Sequence, residues 1–149
     1  MRLRRRTPTH GLEFELEFPE GLNVYRDVAG TDLIVAAGEL NDPGATVISI
    51  GAVRGEEPVT REEHVRRVRA NSADLLQPHL VDEGPMPLAG HESWWTVDAI
   101  VVGGRSLVLD RWMLVRDGVG WTASVQTPAL NMHSIRDGAI TIVSTLRFT

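Results

Sequence analysis

Two short turns in the C-terminal half of the chain constrain its fold more than any other feature. The pairs Gly103-Gly104 and Asp117-Gly118 separate three long segments between residues 91 and 127, and each segment alternates apolar with polar side chains. Two-residue loops of this composition are typical of β-hairpins, because glycine, aspartate and asparagine tolerate the positive φ angles that such loops require. The region is therefore predicted to form a three-stranded antiparallel meander, which fixes the sheet face of each side chain.

The register of the meander divides its residues between two faces. With the two glycines as loop residues, Val102 lies opposite Arg105, and the pairing continues along the ladder. The first face is predicted to be core and holds Trp95, Val97, Ala99, Val101, Val108, Trp112, Leu114, Trp121, Ala123 and Val125. The second face is mixed and holds Trp94, Thr96, Asp98, Ile100, Arg111, Met113, Thr122, Ser124 and Gln126. Since Trp94 and Trp95 point to opposite sides, both faces are expected to be covered.

Two helices are predicted to supply those covers. Residues 60–76 have helical periodicity, and Thr60 with Glu63 forms a capping box at their start. A second helix is expected to open at Thr127-Pro128 and to continue into the C-terminal residues. Gly138 lies inside that second helix and weakens it by about 1 kcal/mol relative to alanine.

The remaining segments favour additional strands. Residues 12–18 alternate apolar side chains with glutamates, residues 32–38 and 45–52 read as a hairpin, and a short strand is expected around residues 79–81. The predicted fold is α+β: a three-layer α/β/α sandwich with a central, mostly antiparallel sheet that includes the C-terminal meander, and with two main helices. Residues 1–10 are predicted to be a flexible basic arm, and residues 11–149 a single domain.

Charge and composition limit the classes of partner. Arg2, Arg4, Arg5 and Arg6 hold four of the fifteen cations, which leaves eleven against twenty acids in the rest of the chain. An acidic body repels phosphate backbones, so nucleic-acid binding is not expected. No stretch of about 20 apolar residues is present to span a membrane, and no apolar segment follows the first arginines as a secretory signal requires. The predicted location is cytoplasmic.

The sequence lacks the residue patterns of common catalytic and metal sites. It has no cysteine, its five histidines are scattered, and it has no Gly-x-Ser-x-Gly elbow or phosphate loop. Asp98 and Asp110 are predicted to point to opposite faces, so they cannot act as an acid–base pair. Asp110 lies opposite Val97 on the apolar face; it has a partner near a sheet end, or the register slips there, or it is a perturbed acid. We therefore predict no catalytic, cofactor-binding or metal-binding residues, no cofactor, and no enzymatic activity.

The mixed face offers a candidate interaction surface. Arg111 lies opposite Thr96 and one diagonal step from Asp98, close enough for a cross-strand ion pair. This pair is either a partly exposed salt bridge worth about 0 to 1 kcal/mol or a recognition element in a polar groove. In the second interpretation Trp94 forms the apolar floor of that groove, beside Met113.

The order of the elements carries a resemblance to a known family. A strand ending in Phe18-Pro19-Glu20-Gly21-Leu22 is followed by the hairpin, the helix at Thr60, the step Leu88-Ala89-Gly90-His91-Glu92, the meander, and a helix closing on Leu146-Arg147-Phe148. Over most of residues 12–148 the chain resembles the PsbP-like α/β/α sandwich superfamily, which includes the photosystem extrinsic protein, a cofactor of the GTPase Ran, LpqN-type lipoproteins and chaperones of type VI secretion effectors. The resemblance implies a non-enzymatic scaffold that holds another protein. The chain departs from the lipoprotein branch, because it has no signal peptide or lipid-attachment cysteine. No functional residue of the family can be carried over to a position of this sequence.

Three functional hypotheses follow. The first is a protein-binding adaptor or chaperone-like module that engages another protein or an apolar peptide segment through Trp94, Asp98, Arg111 and Met113. The second is a small-molecule-binding protein or weak enzyme with a pocket near His91, Glu92 and Asp110. The third is a homodimer that uses an exposed sheet face or edge as its own interface.

Overall fold

The computed structural model describes residues 2–6, 13–28, 31–40, 42, 44–53 and 57–148. Within them the elements are β1 (Arg2–Arg6), β2 (Glu13–Glu17), β3 (Asn23–Val28), β4 (Thr31–Ala36), β5 (Val47–Val53), α1 (Arg61–Leu76), β6 (His79–Pro85), β7 (Ser93–Val102), β8 (Arg105–Arg116), β9 (Val119–Pro128), a 3-10 turn (Ala129–Asn131), α2 (Met132–Val143) and β10 (Arg147–Phe148). Leu12, Asn41 and Pro43, which belong to the predicted first strand and hairpin turn, lie outside the described residues.

These strands form two sheets. The larger has seven antiparallel strands in the order β3-β4-β5-β9-β8-β7-β6, and the smaller has three in the order β1-β2-β10. The predicted hairpin is confirmed as β4 and β5, which pair antiparallel. Central strands β8 and β9 have paired neighbours on both sides, while β3 and β6 are the edges of the large sheet.

The meander has the predicted register. Val102 pairs with Arg105 across the first turn, and Trp95 lies opposite Trp112 lower on the same ladder. Gly103 and Gly104 have φ angles of 58° and 77°, and Asp117 and Gly118 have φ angles of 52° and 76°. Positive φ at both central residues is the conformation that matches the twist of a hairpin.

Each face of the large sheet is covered by a helix, so the molecule has the predicted three layers. Helix α2 and the small sheet pack on the first face, around a core that includes Phe14, Leu16, Leu33, Val35, Ile48, Ile50, Trp112, Leu114, Trp121, Val125, Ala139, Val143 and Leu146. Helix α1 contacts β7 and β8 on the second face, where Ile100, Leu107 and Leu109 form a smaller cluster with Leu76.

Helix α1 starts where its capping signal predicts. Thr60 has extended backbone angles, and its hydroxyl oxygen accepts a hydrogen bond of 3.2 Å from the backbone N–H of Glu63. That bond satisfies one of the donors that a helix N-terminus leaves unpaired. At the other end Gln77 adopts the left-handed conformation and its N–H donates to Ala73 O.

The start of the second helix was predicted wrongly. Strand β9 continues through Thr127 to Pro128, which still lies opposite Leu107, and α2 begins only at Met132. Pairing between β5 and β9 ends at Gln126, so Pro128 occupies a position where the missing N–H removes no bond to β5. The short strand expected around residues 79–81 extends to Pro85, with a register shift between Leu80 and Asp82. Strands β3 and β10 had not been predicted.

The first strand of the chain belongs to the small sheet. Residues 2–6 form β1 and pair antiparallel with β2, which places Arg2, Arg4 and Arg6 opposite Glu17, Glu15 and Glu13. The division of the chain into an arm and a single domain stays a prediction. Residues 1 and 7–10 lie outside the described residues.

Candidate functional site

The mixed sheet face is covered by α1 and does not form an open groove. Of the four side chains predicted to contact a partner there, Met113 is fully buried, and Asp98 and Arg111 are 4% and 5% exposed. Trp94 keeps partial exposure, and its indole N–H donates to Glu83 Oε1 at 3.0 Å. The expectation of an accessible binding face is therefore corrected: a helix packs over it.

The Asp98–Arg111 ion pair is present, but it is buried. Arg111 Nη2 donates to Asp98 Oδ2 at 3.1 Å, and Arg111 Nη1 donates to Ser72 Oγ on α1 at 2.9 Å. Both charged side chains are 6% exposed, so the expected partly exposed salt bridge is also corrected. Removing one member of a buried pair costs about 3–5 kcal/mol, since the other charge remains without compensation.

Asp110 has a partner on the first face, as one of the three alternatives predicted, but it lies in the middle of β8 and not near a sheet end. Its two carboxylate oxygens accept hydrogen bonds from Arg136 Nε at 2.8 Å and Arg136 Nη2 at 2.7 Å, and Oδ1 also accepts from Trp95 Nε1 at 3.1 Å. The hydrogen bonds to Asp110 raise the pKa of Arg136 above its ordinary value. The fully buried carboxylate thus joins α2 to the sheet.

His91, Glu92 and Asp110 do not converge on one pocket. The His91 ring packs edge-on against Phe148 with centroids 5.5 Å apart. Glu92 has a 93% exposed side chain and lies 3.6 Å from Arg61 of α1. Since Asp110 is buried beneath α2 and Glu92 points toward α1, the arrangement does not match the predicted small-molecule site.

A largely apolar groove runs along α2, and the sequence did not predict it. It has a cavity volume of about 630 Å³. Its walls come from the end of β2, strands β4 and β5, and the exposed side of α2. The lining residues include Phe18, Pro19, Leu22, Val35, Ala37, Ile48, Ile135, Gly138, Ala139 and Ile142, with Glu17, Thr46, Thr141 and Thr145 as polar members.

Gly138 keeps this groove wide. It lies in the middle of α2, has no positive φ angle, and no other heavy atom stands within 4 Å of the place that a Cβ would occupy. Neither backbone conformation nor packing within the described residues requires glycine there, although glycine destabilises a helix interior. Ile135, one turn earlier on the same wall, is 42% exposed. The helix weakness at Gly138 was the only sign of the groove in the sequence, because the walls come from segments far apart along the chain.

Comparisons with known proteins identify the fold. No family model matches the chain, and no curated protein matches its sequence. A crystal structure of LpqN from Mycobacterium tuberculosis, involved in cell envelope biogenesis, superimposes with a TM-score of 0.63 at 12% identity, over 100% of this chain and 91% of that chain. The solution structure of cyanobacterial PsbP (CyanoP) from Synechocystis superimposes with a TM-score of 0.61 at 14% identity, over 99% of this chain and 92% of that chain.

A crystal structure from Bacteroides thetaiotaomicron gives a TM-score of 0.60 at 12% identity over 91% of this chain, which spans 45% of that one. At such low identities the similarity shows the fold and carries no function. The chain has the PsbP-like fold, as the order of its elements predicted. Among the described residues, no helix combines the length and the apolar character needed to cross a membrane. The cytoplasmic location stays a prediction.

Proposed function

We propose that the chain is a non-enzymatic protein-binding module, an adaptor or chaperone-like domain, that holds an apolar segment of another protein in the groove along α2. The observation that carries the proposal is the combination of apolar walls with the space left by Gly138. Glycine lets another backbone approach closely where any side chain would intervene. The buried acids Asp98 and Asp110 are each bonded to an arginine, which supports a binding role rather than a catalytic one.

The groove has the pattern of a surface that receives a peptide segment. Ile135, Gly138 and Ile142 are spaced as i, i+3 and i+7 and therefore share one side of α2. Residues at this spacing form a stripe along one side of a helix, and here the stripe carries no polar side chain. Thr46 lies among the apolar residues, and its hydroxyl group can bond to the polar backbone of a bound segment. The hydroxyl groups of Thr141 and Thr145 already donate to backbone carbonyls of this chain.

A leucine placed at position 138 tests the proposal. Gly138→Leu adds a side chain in the groove, and it should leave the fold intact because nothing occupies the added volume. Ser144→Leu adds the same side chain to an exposed position directly after α2, outside the groove, and serves as the matched control. Partners recovered with the tagged wild-type protein from its host would be identified by mass spectrometry, purified, and titrated calorimetrically against the three proteins.

We expect Gly138→Leu to weaken the identified complex by at least about tenfold, or about 1.4 kcal/mol, and Ser144→Leu to bind like wild type. Equal affinity of all three proteins would refute the groove as the binding site. Since the cavity volume also falls within the range of small-ligand sites, native mass spectrometry of the purified protein is the second measurement. A small apolar molecule that copurifies with the wild type and is lost from Gly138→Leu would replace the protein segment as the occupant.

A further inference from the structure

A second cavity lies on the opposite side of the large sheet, beneath the C-terminal half of α1. Its volume is about 520 Å³, within the range of small-ligand sites. The walls are contributed by α1, by the first residues of β6, and by β7 and β8. The residues on which the inference depends are Arg69, Ala73, Gln77, Asp98 and Arg111.

The floor of this cavity presents a carboxylate oxygen. Asp98 Oδ2 accepts the hydrogen bond from Arg111, and no other hydrogen bond reaches Asp98 within the part of the chain that the structure describes. Arg111 Nε is buried and has no hydrogen-bond partner among those residues, whereas Asp98 Oδ1 is not fully buried. A carboxylate that is almost wholly buried and still has one oxygen open to a cavity is suited to accept a bond from a charged donor.

The carbonyl end of α1 adds negative potential beside Asp98. The helix ends at Leu76 with no basic residue in its last turn, and Gln77 lines the cavity. The last carbonyls of a helix have partial negative charge. A cationic group in the cavity would therefore be attracted by both Asp98 and the helix terminus.

A cationic donor is found among the more exposed residues of the cavity. Arg69 is 37% exposed and pairs with Glu83 at 3.1 Å. An exposed pair such as Arg69–Glu83 contributes little to stability, so the guanidinium can turn toward a ligand at small cost. The cavity thus has an acceptor on its floor and a charged donor near its opening.

We propose that this cavity binds a small zwitterion of the α-amino-acid class. The ammonium group lies at Asp98 Oδ1, near the carbonyl end of α1, and the carboxylate lies toward Arg69. A simple anion would meet the Asp98 carboxylate, and a simple cation would meet the guanidinium groups of Arg69 and Arg111. A molecule that carries both charges matches both ends of the cavity. The inference is independent of the groove along α2.

The experiment measures binding of the twenty free amino acids, first as a mixture by saturation-transfer NMR and then singly by calorimetry up to millimolar concentration. The blocking variant is Ala73→Leu, which places a larger side chain in the cavity. Its matched control is Ala70→Leu, an exposed position on the same helix that does not line the cavity. We expect at least one amino acid to bind the wild type and Ala70→Leu equally, and to bind Ala73→Leu at least about tenfold more weakly.

Two further comparisons test the charge assignment. For the amino acid that binds, the amine that lacks the carboxylate and the acid that lacks the ammonium should both bind more weakly than the zwitterion. Arg69→Gln should weaken the zwitterion, and Arg69→Lys should restore part of the affinity. No binding by any amino acid, equal binding by Ala73→Leu, or equal binding by either single-charge analogue would overturn the proposal.

Discussion

At the scale of single residues, the interior of this protein holds two arginine–aspartate pairs on opposite faces of one sheet. Asp110 and Arg111 are neighbours in β8, so their side chains point in opposite directions. Asp110 bonds to Arg136 of α2, while Arg111 bonds to Asp98 and to Ser72 of α1. Each helix is therefore connected to the sheet by a charged side chain as well as by apolar packing.

Arg136→Met should destabilise the protein by about 3 kcal/mol, because it leaves the Asp110 carboxylate fully buried with only the Trp95 N–H as a donor. The double variant Arg136→Met/Asp110→Leu should recover much of that loss, since no charge then remains in the interior. Urea unfolding followed by circular dichroism gives both values. Arg67→Met, at a 61% exposed side chain, is the control and should change the stability by less than about 0.5 kcal/mol. If Arg136→Met also changed the stability by less than about 0.5 kcal/mol, the Arg136–Asp110 pair would have no role in holding α2 to the sheet.

His64 makes stability depend on pH. His64 belongs to α1, and its ring is buried between that helix and β9. Nε2 lies 2.9 Å from Trp121 O and 3.1 Å from Thr122 Oγ1, and the ring contacts Gly120 where a Cβ would have no room. Burial lowers the pKa of His64 below its ordinary value of 6.5. The folded protein therefore holds the neutral ring at pH values where the unfolded chain already takes up a proton.

This difference in proton binding sets the direction in which the free energy of unfolding changes with pH. The contribution of His64 to the free energy of unfolding should be complete above about pH 6.5 and should fall at lower pH, by at most about 1.4 kcal/mol per pH unit, down to the folded-state pKa. His64→Gln keeps an N–H donor for Trp121 O and does not titrate. Urea unfolding at about pH 7.5 and about pH 5.5 should show the larger loss for wild type; the same pH dependence in both proteins would disprove the assignment.

At the scale of elements, the two helices differ in how much of their sequence serves stability. Helix α1 has an N-cap, two acidic residues in its first turn and a left-handed C-cap, which are all features that stabilise helix ends. Helix α2 has an internal glycine and a partly exposed apolar side. This contrast supports the proposal that α2 forms one wall of a binding groove, while α1 stabilises the fold by covering the second face of the sheet.

Thr60→Ala should lower the free energy of unfolding by about 1 kcal/mol, because the N–H of Glu63 loses its acceptor. Thr60→Ser, which keeps the hydroxyl, should retain most of the stability. Thermal unfolding of the two variants beside wild type makes the comparison, and equal losses would show that the cap does not contribute through this bond.

Gly138→Ala should raise the stability by about 0.5–1 kcal/mol, since it improves the helix interior and its Cβ meets open space. A stabilising substitution at a natural glycine indicates that the glycine serves something other than the fold. Denaturant unfolding measures the change. If Gly138→Ala destabilised the protein, the glycine would have a structural role and the argument for a reserved groove would fail.

At the scale of the whole molecule, the large sheet should protect its backbone amides from hydrogen exchange most strongly at its centre and most weakly at its β6 edge. Strands β8 and β9 are paired on both sides and mostly buried, whereas six of the seven residues of β6 are exposed. Local opening is easiest where few apolar contacts hold the backbone, so amide hydrogens of β6 should exchange much faster than those of β8 in hydrogen-exchange mass spectrometry. Slow exchange in β6 that becomes fast on dilution would show instead that a second copy covers this edge, as in the homodimer hypothesis.

The sequence by itself determined the register of the meander, the opposite faces of Asp98 and Asp110, and the start of α1. Each depends on interactions within a few residues or across a two-residue loop, where the alternation of side chains leaves one solution. Only the tertiary structure decided which of the two helices covers the mixed face, that residues 2–6 would pair with β2, and that a groove would open along α2. Those outcomes depend on residues far apart in the chain, such as Arg111 with Ser72 and Asp110 with Arg136, and a packing choice between distant segments has no signature in the local pattern of either.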